Sequence, residues 1–160
     1  MVEELKLNPN SSRDEKYSEI YPQIKSIVGG ETDTIANLAN VAAIIKETFE
    51  FLWVGFYLVK DKELVLGPFQ GPLACTRIGF GKGVCGTAWK EKKTVIVPDV
   101  ELFPGHIACS SKSRSEIVVP LFNAKKEVWA VLDLDSAKVS DFTKMDELNL
   151  EKILKLISKP

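Results

Sequence analysis

Residues 116–136, "EIVVPLFNAKKEVWAVLDLDS", are two apolar runs hinged on the polar quartet "NAKK". That pattern predicts a β-hairpin. A second such pair, "FLWVGFYLVKDKELVLGPF", turns at "KDKE" over residues 51–69. Helical spacing appears only outside this middle region. In "YSEIYPQIKSI" the residues Tyr17, Ile20, Ile24 and Ile27 form one stripe, with Pro22 marking a first turn. In "ETDTIANLANVAAIIKETFE" the residues Ile35, Leu38, Val41, Ala42, Ile45 and Phe49 form another, capped by Thr32, Asp33 or Thr34. "TKMDELNLEKILKLI" closes the chain, with a capping-box pair Thr143–Asp146 and an apolar face of Leu150, Ile153, Leu154 and Ile157. Helices at both ends of a hairpin-rich middle predict an α+β fold. Its central sheet is mostly antiparallel, with five to six strands, and the N- and C-terminal helices pack on one side. "GTAWKEKK" reads as a short inserted helix, "TVIVPDV" as a strand and "LACTRI" as strand-like.

At 160 residues the chain is long enough for one domain with a real core. The formal net charge of −1 argues against a nucleic-acid partner. No apolar run is long enough to span a bilayer, and the first residues lack the charged-then-apolar pattern of a secretory signal. A cytoplasmic location with reduced thiols is therefore expected.

Three cysteines, Cys75, Cys85 and Cys109, cannot form a fully paired disulfide framework. No C-x-x-C knuckle supports a metal corner from Cys85, Cys109 and His106, so no metal is expected. Cys75, beside Ala74 in strand-like sequence, suits a small buried hydrophobe. Cys85 stands in "GKGVCGTAWKE", just before the short helix, where a helix dipole lowers a thiol pKa. Cys109 follows His106 in "GHIACSSKSRSE", with Lys112 and Arg114 behind it. Either Cys85 or Cys109 suits a nucleophile with a resolving partner, and a bland core role stands level with that reading. His106, the one histidine, is read as holding its loop by a hydrogen bond.

Taken together, "LGPFQGPLACTRIGFGKGVCGTAW", "VPDVELFPGHIACSSKSRSEIVVPLF", "AVLDLDS" and "WVGFYL" closely resemble the free methionine-(R)-sulfoxide reductases, which are small proteins of the GAF fold. The likeness covers roughly residues 17 to 157. It implies a GAF-like catalytic domain over residues 17–160 behind a polar segment 1–16. It also implies reduction of free methionine sulfoxide. A thiolate attacks the sulfoxide sulfur and becomes a sulfenic acid, a second cysteine condenses with it to a disulfide, and thioredoxin, with no bound cofactor, reduces that disulfide. Cys109 matches the attacking position, and Cys75 and Cys85 match resolving ones, with Cys85 also a candidate nucleophile. A homodimer through the helical side is implied as well.

On this resemblance three carboxylates gain a role. Asp133 and Asp135 alternate with Leu132 and Leu134, so both point to one strand face. Like charges placed there are costly unless a cation joins them. The ammonium of a free amino acid is such a cation, and Glu116 joins the same set. One of the three, its pKa raised by its neighbours, can hand a proton to the departing sulfoxide oxygen. Trp53 and Tyr57 share a strand face and are implied to line the pocket for the methyl and thioether end, with Phe56 on the opposite face. Many family members carry Asp after the "HIAC" cysteine, and here the residue is Ser110. The backbone of the Cys109–Ser111 loop, including Ser110 and Ser111, is expected to receive the substrate carboxylate. A GAF module that only binds a small molecule, and so has no need of three thiols, is one competing expectation; a zinc- or redox-sensing regulator that uses the same three cysteines is another.

Overall fold

The computed structural model describes residues 4–157. Ser12 opens the first helix, α1 (Arg13–Gly29), with a capping box: its hydroxyl accepts from the Glu15 N–H, and the Glu15 carboxylate accepts from the Ser12 N–H at 2.7 Å. The helix therefore starts four residues ahead of the Tyr17 stripe, inside the stretch read as a polar leader. Pro22 lies in mid-helix, not in a first turn. It forgoes one main-chain bond, which is tolerable because Tyr17, Ile20, Ile24 and Val28 are buried along one side. Val28 takes the place expected of Ile27, which is 36% exposed.

Asp33 is the residue that caps α2 (Thr34–Phe49), accepting from the Ala36 N–H at 2.9 Å. Leu38, Val41, Ala42 and Ile45 face the core, while Ile35 in the first turn is exposed. The chain then runs through β1 (Trp53–Lys60), β2 (Glu63–Gln70), β3 (Arg77–Gly79), α3 (Gly83–Glu91) and β4 (Val95–Val97). A single 3-10 turn at Val100–Leu102 leads to β5 (Ser115–Phe122), β6 (Val128–Ser136) and α4 (Lys144–Leu154). In the β5–β6 turn the Asn123 side chain accepts from the Lys125 and Glu127 N–H groups. Of "LACTRI" only the end is strand. Residues 73–76 form a loop after Pro72, tethered where the Thr76 carbonyl accepts from the Leu66 N–H at 3.0 Å. α4 ends before Ile157, which is still buried through a tight turn.

The six strands form one antiparallel sheet in the order β3-β2-β1-β6-β5-β4. Its two faces carry different cores, because side chains alternate along each strand. Val54, Phe56, Ile117, Val119, Leu132 and Leu134 meet α1, α2 and α4 on one face. Trp53, Tyr57, Val118 and Val131 meet α3 on the other. The terminal helices thus share a side, and the inserted helix crosses to the opposite one. Removing Leu132 or Leu134, both fully buried, would cost about 2–5 kcal/mol. Gly86 lets α3 lie close: a Cβ there would stand 2.5 Å from the Gly79 carbonyl oxygen, which is main chain and cannot swing away. Among the described residues, no helix is long and apolar enough to cross a membrane.

Candidate active site

The α3 face of the sheet opens into a pocket built from four parts of the chain. Cys75, in the loop between β2 and β3, is disulfide-bonded to Cys109, in the loop before β5. Their Cα atoms are 5.5 Å apart across a sequence separation of 34. Cys75 is therefore not a simple core residue. Cys85 is the free thiol, 3% exposed, within the first turn of α3 and not ahead of it. This setting argues against an activated Cys85 thiolate. Burial pushes its pKa well above the ordinary thiol value, and the carboxylates Asp133 and Glu116 push it further. Desolvation together with two nearby negative groups outweighs the helix dipole.

The carboxylates converge because of strand register. Glu116 on β5 stands directly opposite Asp135 on β6, and Asp133 stands opposite Gly55 on β1. Glu116 and Asp133 are 6% and 7% exposed, so neither is solvated. Burial raises the pKa of both, and neighbouring carboxylates, Asp135 against Glu116 and both others against Asp133, add to it. Asp135, half-buried, is pushed up by burial to about 6, against hydrogen bonding from Ser113 and the charge of His106. Three carboxylates so placed do not all ionise together. The Asp133 Oδ1 atom is buried without a hydrogen-bond partner, which leaves room in the energetics for a donor that arrives with a ligand.

His106 does more than hold its loop. Its Nε2 lies 3.5 Å from the Glu116 carboxylate, and its main-chain N–H donates to the Phe103 carbonyl at 3.1 Å. Cys109, one of the three residues weighed for a metal corner, is committed to the disulfide. Cys85, Glu116 and Asp133 do bring one polar atom each within 4.8 Å of one another. With all three pKa values raised, that group reads as a proton-holding cluster.

One wall is aromatic. Trp53 stacks on Phe69 at 5.4 Å and lies 5.9 Å from Tyr57, and its indole N–H donates to the Pro72 carbonyl at 3.1 Å. The Tyr57 hydroxyl donates to the Cys75 carbonyl. Trp53, Tyr57, Cys85, Cys109, Ser110, Glu116, Asp133 and Asp135 all line the pocket. Phe56 is on the helical side of the sheet. Ser111 is exposed and outside the lining. The Cys109 N–H already donates to the Ile107 carbonyl at 3.0 Å, and the Ser110 hydroxyl accepts from the Lys112 N–H, so this loop offers fewer free donors than expected. Lys82, Ser113 and Ile107 also line the pocket and were not anticipated. Lys82 is legible in hindsight as the cation ahead of a helix that lacks a side-chain N-cap. Ser113 carries no such signal, being one of four serines in "SSKSRS".

A family model described as GAF domain matches residues 33–159. "GAF domain-containing protein A" of Dictyostelium discoideum is 57% identical, covering 98% of this chain and 99% of that one. The free methionine-R-sulfoxide reductase of Escherichia coli is 42% identical, over 92% of this chain and 90% of the relative. A solved structure of the free methionine-R-sulfoxide reductase of Neisseria meningitidis, in complex with its substrate, superposes with a TM-score of 0.92 at 54% identity. That match covers 96% of this chain and 93% of the other. With identities of this size along nearly the whole length, and a backbone that superposes with a TM-score of 0.92, the chain belongs to the free methionine-R-sulfoxide reductases of the GAF-domain family.

Proposed function

We propose that the protein reduces free L-methionine-(R)-sulfoxide to methionine. The observation that carries this reading is the Cys75–Cys109 disulfide beside a pocket that also holds three crowded carboxylates and an aromatic wall. Cys109 is the attacking thiol: in the reduced protein its sulfur bonds to the sulfoxide sulfur. A carboxyl proton from Glu116 or Asp133 goes to the oxygen. The hydroxyl then passes to the Cys109 sulfur as the substrate S–O bond and the transient bond between the two sulfurs break. The Cys109 thiol proton replaces the one the carboxyl gave, and methionine leaves with Cys109 as the sulfenic acid. The Cys75 thiol then displaces that hydroxyl as water, forming the disulfide. A thioredoxin dithiol takes up the oxidation by exchange and regenerates both thiols. Cys85, buried and unpaired, supports the carboxylate cluster and attacks nothing.

Asp135 pairs with the substrate ammonium, which explains preference for the free amino acid: a methionine sulfoxide inside a peptide has no such cation. Trp53 and Tyr57 receive the methyl and thioether end. The carboxylate end falls to Lys82 and Ser110 at the pocket's edge. Repeated turnover needs a reducing compartment, so the cytoplasm is the proposed location. A second copy is proposed on the α1–α2 side, where Ile27 and Ile35 are exposed.

The test is direct. The reduced protein is given the free (R)-sulfoxide with a thioredoxin system, and NADPH consumption is followed. Steady loss with this substrate, and none with its N-acetyl derivative, is expected. After one equivalent of sulfoxide the intact mass should fall by two hydrogens. Cys109→Ser should release no methionine, and Cys75→Ser should release one methionine per chain without that mass loss. An inactive wild-type protein would sink the proposal.

A further inference from the structure

Ser113 lies between Cys109 and Glu116 in a stretch of small polar residues, yet it is only 7% exposed. Its neighbour fixes its place. The Arg114 N–H donates to the Ser136 carbonyl at 2.8 Å, and the Arg114 carbonyl accepts from the Val100 N–H at 2.9 Å. With the main chain pinned on both sides, the Ser113 side chain turns into the pocket and its hydroxyl donates to Asp135 Oδ1. Neither neighbouring serine does this: Ser111 is exposed, and the Ser115 hydroxyl donates away from the pocket to the Lys138 carbonyl.

We propose that Ser113 is a positioning residue for the reduction of free methionine sulfoxide, holding Asp135 as the ionised member of the carboxylate trio and aiming it at the substrate ammonium. This rests on the reading of the pocket given under Proposed function. The physical reason is the direction of the bond. A hydroxyl that donates to a carboxylate favours its charged form, whereas burial and like charges favour the neutral one. The groups around Asp135 divide along that line. Glu116 across the strand pair and Asp133 on its own strand oppose its ionisation. Tyr57 on β1 and Cys85 on α3 stay neutral because their own pKa values are raised, chiefly by burial. His106, from the same loop as Cys109, favours the anion, and Lys82 stands at the pocket wall. Ser113 is the group that combines a direct bond with a fixed backbone. Because it sits on the connection from Cys109 to Glu116, it also ties the ammonium-binding carboxylate to the loop that carries the attacking sulfur.

The experiment is the pH dependence of kcat/KM, in the full chain with thioredoxin, for wild type, Ser113→Ala and Ser113→Thr. Asp135 must be ionised to hold an ammonium, so activity rises with pH through its titration. Losing a donor to a charged group should move that acidic limb up by about one unit. At pH 6, Ser113→Ala should lose about fivefold in kcat/KM, mostly through KM, and come within about twofold of wild type at pH 8. Ser113→Thr keeps the hydroxyl and should return the limb to its wild-type place. If Ser113→Ala does not fold, Ser113→Cys, a weaker donor of similar shape, carries the same prediction with a smaller displacement. A Ser113→Ala profile that overlays wild type, or that drops equally at every pH, overturns the inference. Inactive wild-type protein would instead overturn the reading on which it rests.

Discussion

The Tyr57 hydroxyl donates to the main-chain carbonyl of Cys75 at 2.8 Å. A buried strand residue therefore holds the loop that carries one half of the disulfide. Tyr57 is 1% exposed, and burial raises its pKa, so it remains a donor across the working pH range. Tyr57→Phe keeps the ring against the pocket and deletes this one bond. A hydrogen bond of this kind contributes about 1 kcal/mol, or roughly fivefold in a rate. The release of methionine in a single turnover should stay close to wild type. Disulfide formation, followed by quench and intact mass, should slow by about fivefold. Equal slowing of both steps would show that the hydroxyl serves the pocket and not the Cys75 loop.

The fold was largely legible because period carries it. Alternation in β5 and β6 puts Ile117, Val119, Leu132 and Leu134 under the helices and Glu116, Asp133 and Asp135 on the other face. What period does not carry is the third dimension around a single side chain. Cys85 looks activated from its helix alone, but the two carboxylates that reverse its electrostatics come from β5 and β6. The choice of Cys75 over Cys85 as partner of Cys109 depends on how two loops meet, and no spacing reveals it. Ile27 and Val28 are neighbours in one stripe, and only the exact helix phase buries the second. Ser113 is hidden in the same way, its inward turn set by main-chain bonds of Arg114 to partners far along the chain.

The crowded carboxylates should make the free protein less stable as pH rises. Glu116, Asp133 and Asp135 have raised folded-state pKa values, mainly through burial. The folded protein then keeps protons that the unfolded chain has already lost, so the stability these groups provide at low pH falls as pH increases. For Asp135 the window runs from about 4, the unfolded value, to about 6, and for the other two it extends higher. Glu19 and Asp141 have lowered pKa values and act only below this window. Asp133→Asn removes one unwelcome charge, so its melting temperature at pH 8 should exceed wild type by a few degrees, on the order of 1–2 kcal/mol. The gain should shrink at pH 5, and activity should be lost at both. Calorimetry at the two pH values decides it. A gain that is the same at both would show that packing, not charge, is responsible.

Gly55 sets the shape of the aromatic wall. It lies on β1 between Trp53 and Tyr57, opposite Asp133 on one neighbouring strand and Phe69 on the other. A Cβ at Gly55 would run into the Phe69 Cβ and into the Trp53 ring, whose Cζ3 would be 2.7 Å away. Phe69 is held by strand pairing, so the indole must move. It would leave its stack on Phe69 and its bond to the Pro72 carbonyl. Overpacking of this kind costs about 1–3 kcal/mol, and the fold should survive it. Cys109 and Glu116, the residues proposed to carry the chemistry, come from other elements and stay in place. Gly55→Ala should therefore raise KM for the free sulfoxide by about tenfold, the worth of about 1.4 kcal/mol of lost contact with the methyl and thioether end, while kcat changes little. Steady-state kinetics measure the split directly. A fall in kcat at unchanged KM would place the indole against the reacting sulfur in the transition state and not against the bound substrate.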